Sequence, residues 1–204
     1  MEGVFIAIVF IFSVVIHEVS HGVVADKLGD PTARLLGRLT LNPLKHIDPF
    51  GSIILPALLI ISRVGFVFGW AKPVPYNPYH LKKPERDAAI IAGAGPASNL
   101  LVALIFALII WGGTALLPNV PTLLSVLPLF ALIVQINIVL AVFNLVPIPP
   151  LDGSKILFLG LRGRWGESVR RVLEQYGSIL LIFFIFFGYG LITPIIHVLM
   201  KLLI

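Results

Sequence analysis

Residues 14–24 read VVIHEVSHGVV, two histidines and a glutamate set inside an apolar run that reaches back to residue 3. An unpaired ionisable side chain at depth in a bilayer costs at least a few kcal/mol, so such groups face protein and mark function. The spacing says which function to look for. His17 and His21 are four apart, which on a helix places one a turn above the other on the same face. Two imidazoles at that spacing can grip one zinc ion, and a glutamate between them can act as a base on water that the metal activates. Glu18 stands in that position. The bland alternative is two histidines hydrogen-bonded between helices beside a protonated Glu18. At 1.5 Å per residue, His17 and His21 lie about 21 and 27 Å along a helix beginning at residue 3, against a hydrocarbon core about 30 Å thick. The pair is inside the membrane but displaced from its centre.

Composition supports the bilayer. Only 12% of the 204 residues are charged and 58% are hydrophobic, whereas a soluble domain carries about a quarter charged residues. Mean hydropathy is +1.01, and the apolar residues come in blocks long enough to span. The reading is an integral, multi-pass membrane protein. The net charge of +5 lies in loops that flank apolar spans; that pattern reflects topology and excludes a nucleic-acid partner. There is no cysteine, hence no thiolate zinc ligand and no cysteine nucleophile. The first 16 residues carry Glu2 rather than a basic start, and they do not read as a signal peptide.

Four apolar segments are predicted to be membrane helices: about 3–25, 88–113, 127–146 and 177–203. A fifth, 51–69, is interrupted by Pro56, Arg63 and Gly65. Basic residues mark the loops 26–50, 70–87 and 147–176 as cytoplasmic, and the uncharged stretch 118–125 as external. With cytoplasmic loops on both sides, 51–69 should enter and return as a re-entrant or interfacial piece; a single crossing is the alternative. The first helix then ends on the same face as the third. The expected fold is an all-α polytopic membrane protein of about four transmembrane helices plus this segment, with room for a short β-hairpin. A single domain, 1–204, is expected.

Two histidines leave a catalytic zinc one protein ligand short. His46 and His80 sit in basic loops and His197 in the last helix, so they read as surface or packing residues. Asp152 is the better candidate. It lies in NLVPIPPLDG, residues 144–153, where Pro147, Pro149 and Pro150 break the helix. An unwound end lets a carboxylate swing back toward the first helix, and Gly153 permits the tight turn. A plain loop aspartate is the competing view.

Together the two motifs resemble the signature of the site-2 protease family of intramembrane zinc metalloproteases. That signature pairs HExxH on one helix with N-x-x-P-x-P-x-L-D-G at another. Here the first is His17 to His21 and the second is Asn144, Pro147, Pro149, Leu151, Asp152 and Gly153. AGPASN at 94–99 is similar to a small-residue helix start in that family, and FGWAKPVPYNP at 68–78 is similar to its short prokaryotic members. The likeness covers about residues 10–160, with the C-terminal helix 177–203 beyond it; no PDZ or CBS domain is recognised. It implies one Zn²⁺ per chain held by His17, His21 and Asp152, with Glu18 as catalytic base. It also implies hydrolysis of peptide bonds in or near transmembrane segments of membrane-protein substrates, as in regulated intramembrane proteolysis. The membrane would be prokaryotic, with the site toward the cytoplasm.

A donor for the developing oxyanion is sought first in Asn144 and then in Asn99, the latter equally an interhelical contact. Gln135 and Asn137 read as packing. The β-forming stretch 64–76 could hold an unwound substrate as a strand edge or anchor at the interface. Competing functions are a catalytically inactive zinc-binding membrane protein and a divalent-metal transporter. Against the transporter, the sequence shows neither repeated halves nor a second ligand cluster.

Overall fold

A backbone in hydrocarbon has no water to bond, so long apolar runs satisfy their amides internally as helices. The structure is a computed structural model that describes residues 2–62, 69, 71–116 and 120–204. Helix α1 runs Glu2–Lys27 and α2 is a single turn, Thr32–Leu35. A π-helical piece, Pro49–Ile54, leads into α3, Leu55–Ile61. Then follow α4 (Pro84–Leu116), α5 (Pro121–Asn144) and α6 (Asp152–Gly160). Helix α7 (Gly163–Phe183) continues through a π-helical turn, Phe184–Gly188, into α8 (Tyr189–Leu203). Four stretches are long and apolar enough to cross a bilayer: Gly3–Lys27, Pro84–Leu116, Ser125–Asn144 and Gly163–Leu203. The protein is an all-α polytopic membrane protein, and no strand occurs among the described residues.

Three boundaries differ from the sequence reading, one of them the start of α5, which at Pro121 falls within the stretch 118–125 read as an external loop. Helix α4 begins at Pro84, and AGPASN lies in its middle rather than at its start. Pro84 suits a first helical position, having no amide hydrogen to leave unbonded. Asp87 then closes the turn, its Oδ2 accepting from the Lys83 amide at 2.9 Å. Pro96, inside the helix and fully buried, removes one backbone bond without ending it. The third difference is in 147–176, read as a basic loop. It contains α6 and the first half of α7. An apolar window overlooks such a helix because its charges are spaced around turns, as in the Arg170–Glu174 pair at 2.9 Å.

Helix α4 is central and packs against α1, α5 and α6. Ala103 and Ala107 on α4 meet Val134, Ile138 and Val142 on α5, and Phe184, Ile192 and Ile196 close the core from the C-terminal helix. At the other contact, Ala25 near the end of α1 packs with Leu81 and Ile91. The chain thus leaves α1 and enters α4 at the same end of the bundle. The helical stretch there, six residues and then seven, reaches about 20 Å, short of the ~30 Å core.

Candidate metal centre

The two histidines stand one turn apart on α1 with ring centroids 4.7 Å apart and planes at 86°. Asp152 opens α6. Its Oδ2 lies 3.0 Å from His17 Nε2 and 3.3 Å from His21 Nε2, and one donor atom from each residue falls within 4.8 Å of the others. The prolines after α5 make this approach possible. The chain reverses through short turns, Ile148 N to Val146 O at 2.8 Å and Leu151 N to Ile148 O at 2.9 Å. Gly153 then lies directly on the end of α5, where a Cβ would sit 2.1 Å from the Leu145 carbonyl oxygen. Only glycine permits that contact.

The other ring nitrogens decide what the cluster can bind. His17 Nδ1 is 2.6 Å from Asn99 Oδ1, and His21 Nδ1 is 2.7 Å from the Ile91 carbonyl oxygen. Both partners only accept, so each Nδ1 carries a hydrogen, and in the neutral ring each Nε2 presents a lone pair. The Asn99 amide is fixed in turn. Its Nδ2 donates to Ser13 O at 3.2 Å and to Asn137 Oδ1 at 2.9 Å, while Asn137 Nδ2 donates to Ser13 Oγ at 3.0 Å. With both imidazoles neutral, two lone pairs and a carboxylate oxygen converge on one point, an arrangement that can hold a cation. Two neutral imidazoles and one carboxylate form a three-ligand set suited to zinc with a position left open.

Gly95 on α4 walls the site. A Cβ there would lie 2.5 Å from His17 Nε2 and 2.6 Å from His21 Cε1. Gly95 within AGPASN thus admits the imidazole pair where α4 packs on α1. Glu18 is half-buried beside His17, and its Oε2 accepts from the Val74 amide at 2.8 Å.

The remaining candidates fall into place by their bonds. Asn99 spends both amide hydrogens within the bundle, so it orients His17 and has none left for an oxyanion. Asn144 bonds back along its own helix, Nδ2 to Leu140 O at 2.9 Å, and no bond joins it to the cluster among the described residues. Asn137 packs as expected. His46 is buried against Thr40 O at 2.9 Å, His80 pairs with Asp30 at 2.8 Å and His197 is exposed. Of the stretch 64–76, residues 64–68 and 70 lie outside the described residues. Within 72–75 both amides are already bonded, Lys72 to His46 O and Val74 to Glu18. Those four residues leave no backbone N–H free for an added strand.

The sequence pattern of peptidase family M50 matches residues 5–122 and 118–188. YwhC of Bacillus subtilis (strain 168), provisionally named a zinc metalloprotease, is 39% identical over 199 residues, covering 94% of this chain and 81% of that protein. Rip2 of Mycolicibacterium smegmatis, named in the same way, is 32% identical over 165 residues, 74% of this chain and 56% of its own length. Rip2 of Mycobacterium tuberculosis (strain ATCC 25618 / H37Rv) is 29% identical over 174 residues, 78% and 59% respectively. The chain thus spans little more than half the length of the two mycobacterial relatives. No solved structure matches. With both signature motifs present and the family pattern running through most of the chain, this protein belongs to peptidase family M50, the site-2 protease family.

Proposed function

We propose that the chain is an intramembrane zinc metalloprotease that hydrolyses a peptide bond in or beside a transmembrane segment of a membrane-protein substrate. The observation that supports it is the meeting of His17, His21 and Asp152 on one point within a bundle of membrane helices. His17 Nε2, His21 Nε2 and the Asp152 carboxylate would hold one Zn²⁺ per chain. When bound, zinc supplies a Lewis acid that lowers the pKa of water to about 7 and polarises a carbonyl.

The chain's own groups do the rest. Asn99 and the Ile91 carbonyl hold the imidazoles in the tautomer that leaves Nε2 free. Glu18, one residue from a ligand, takes a proton from the attacking water and returns it to the leaving amine. The Val74 amide fixes one carboxylate oxygen of Glu18 and leaves the other to carry that proton. The bilayer is a prokaryotic one, with the site toward its cytoplasmic face.

The test uses purified, detergent-solubilised protein and a model membrane-helix substrate. Wild type should bind one zinc per chain and cleave. Glu18→Gln should keep the zinc and lose about 10²- to 10⁴-fold in rate; Asp152→Ala should lose both. Near-wild-type cleavage by Glu18→Gln would exclude Glu18 as the base, and stoichiometric zinc without cleavage by wild type would point to an inactive binder.

A further inference from the structure

Between Lys72 and Tyr76 the chain reads Pro73-Val74-Pro75. Proline has no amide hydrogen and holds its predecessor extended, so this stretch is stiff and carries one backbone donor, Val74 N–H. That donor meets Glu18 Oε2 at 2.8 Å. Val74 is buried at 6% exposure, and it sits where Gly22, one turn beyond Glu18 on α1, leaves room; a Cβ on Gly22 would lie 2.7 Å from Val74 Cγ1.

The stretch is held down from the far side. Arg38, buried at 9% exposure, donates through Nη2 to the carbonyl oxygens of Lys72 at 2.8 Å and Pro73 at 3.2 Å. Through Nη1 it donates to the Lys45 carbonyl. The Lys72 amide completes the tie by donating to His46 O at 2.8 Å. A buried guanidinium with no carboxylate partner is expensive. Here its planar fork gathers carbonyls of two separate segments, a task a lysine's point charge performs poorly.

We infer that Arg38 is a positioning residue for Glu18: it clamps Lys72–Val74 against α1 so that the lone donor between two prolines fixes the Glu18 carboxylate. The inference rests on Glu18 as the base, but its structural half is measurable without turnover. A proton-transfer group displaced by an ångström loses rate steeply while substrate binding is spared.

Amide exchange on the full zinc-loaded chain in detergent reads the clamp, because Val74 is the one exchanging amide in 73–75. Arg38→Ala and Glu18→Ala should each speed exchange at Val74 by about tenfold or more, and Arg38→Lys should fall between Arg38→Ala and wild type. The Asn77 amide, bound to Asp30 Oδ2 at 2.6 Å, should keep its protection in all three. Arg38→Ala should retain one zinc and lose about 10- to 100-fold in kcat with KM within about twofold, with partial recovery in Arg38→Lys. Unchanged Val74 exchange in Arg38→Ala overturns the clamp, as does loss of Asn77 protection or of zinc, which would make Arg38 merely structural. Should wild type fail to cleave while exchange behaves as stated, the clamp stands and the protease reading falls.

Discussion

Gly93 and Gly95 stand two residues apart on α4, yet only Gly95 is closed to a methyl group. A Cβ at Gly93 meets nothing within 4 Å, while one at Gly95 lies 2.5 Å from the nitrogen His17 turns toward Asp152. Gly95→Ala should therefore lower zinc affinity by about 10- to 100-fold, as displacing a ligand's surroundings does in other zinc sites. Gly93→Ala should leave affinity unchanged and raise helix stability by up to about 1 kcal/mol. Chelator-competition titration of both variants checks this; equal affinities would mean that α4 does not confine the imidazoles. At this scale the sequence displayed the candidate ligands and hid their supports. His17, Glu18 and His21 fall within five residues, and Asp152 stands beside a proline break, so local chemistry marks them. Asn99 meets His17 across 82 positions, and no local pattern reveals which of several asparagines in apolar helices will do so. Of the two readings of Asn99, the interhelical contact is the one its amide hydrogens serve, bonded to Ser13 and Asn137.

Between elements, the corner after α1 is pinned by one buried acid. Asp30 accepts from Thr32 Oγ1 at 2.5 Å, from the Thr32 amide at 3.1 Å, from His80 Nδ1 at 2.8 Å and from the Asn77 amide at 2.6 Å. Burial pushes its carboxyl up, but the hydrogen bonds from Thr32, His80 and Asn77 outweigh it and hold the acid below its ordinary range. A depressed folded pKa means that this corner's contribution is complete above the unfolded value, about 4, and fades as pH falls through the lower folded one. Amide exchange at 28–32 and 76–80 should hence stay slow from neutral pH to about 4 and quicken below it, beyond the intrinsic pH trend. Asp30→Asn should exchange fast throughout and show no such step. A wild type without the step would mean the ionised form is not what pins the corner. None of this was visible beforehand. Apolar windows find the middles of spans; they see neither a polar knot between loops nor the amphipathic start of α7.

For the whole molecule, the distribution of lysine and arginine announced that the chain between α1 and α4 makes no net crossing. The packing of Ala25 with Leu81 and Ile91 brings the end of α1 beside the start of α4. Helix α5 then runs back from the opposite end, so that its terminus and Asp152 return to the histidines. Only this parity lets a carboxylate 131 positions beyond His21 reach the same point. The chain lacks cysteine, so single replacements can be labelled without background. Lys82, Lys155 and Arg171 are exposed at the end where Asp152 lies, and Val120 is exposed at the start of α5. Cysteines at the first three positions should react with an impermeant maleimide only from the cytoplasmic side of sealed vesicles, and Val120→Cys only from the other. Each span is a predominantly apolar helix of 20 or more residues, and a mis-sided loop would carry several charges through hydrocarbon at roughly 2.5–3.5 kcal/mol each. The pattern should therefore be all-or-none. Labelling of Lys82→Cys and Lys155→Cys from opposite sides would separate the two halves of the candidate centre by the width of the membrane.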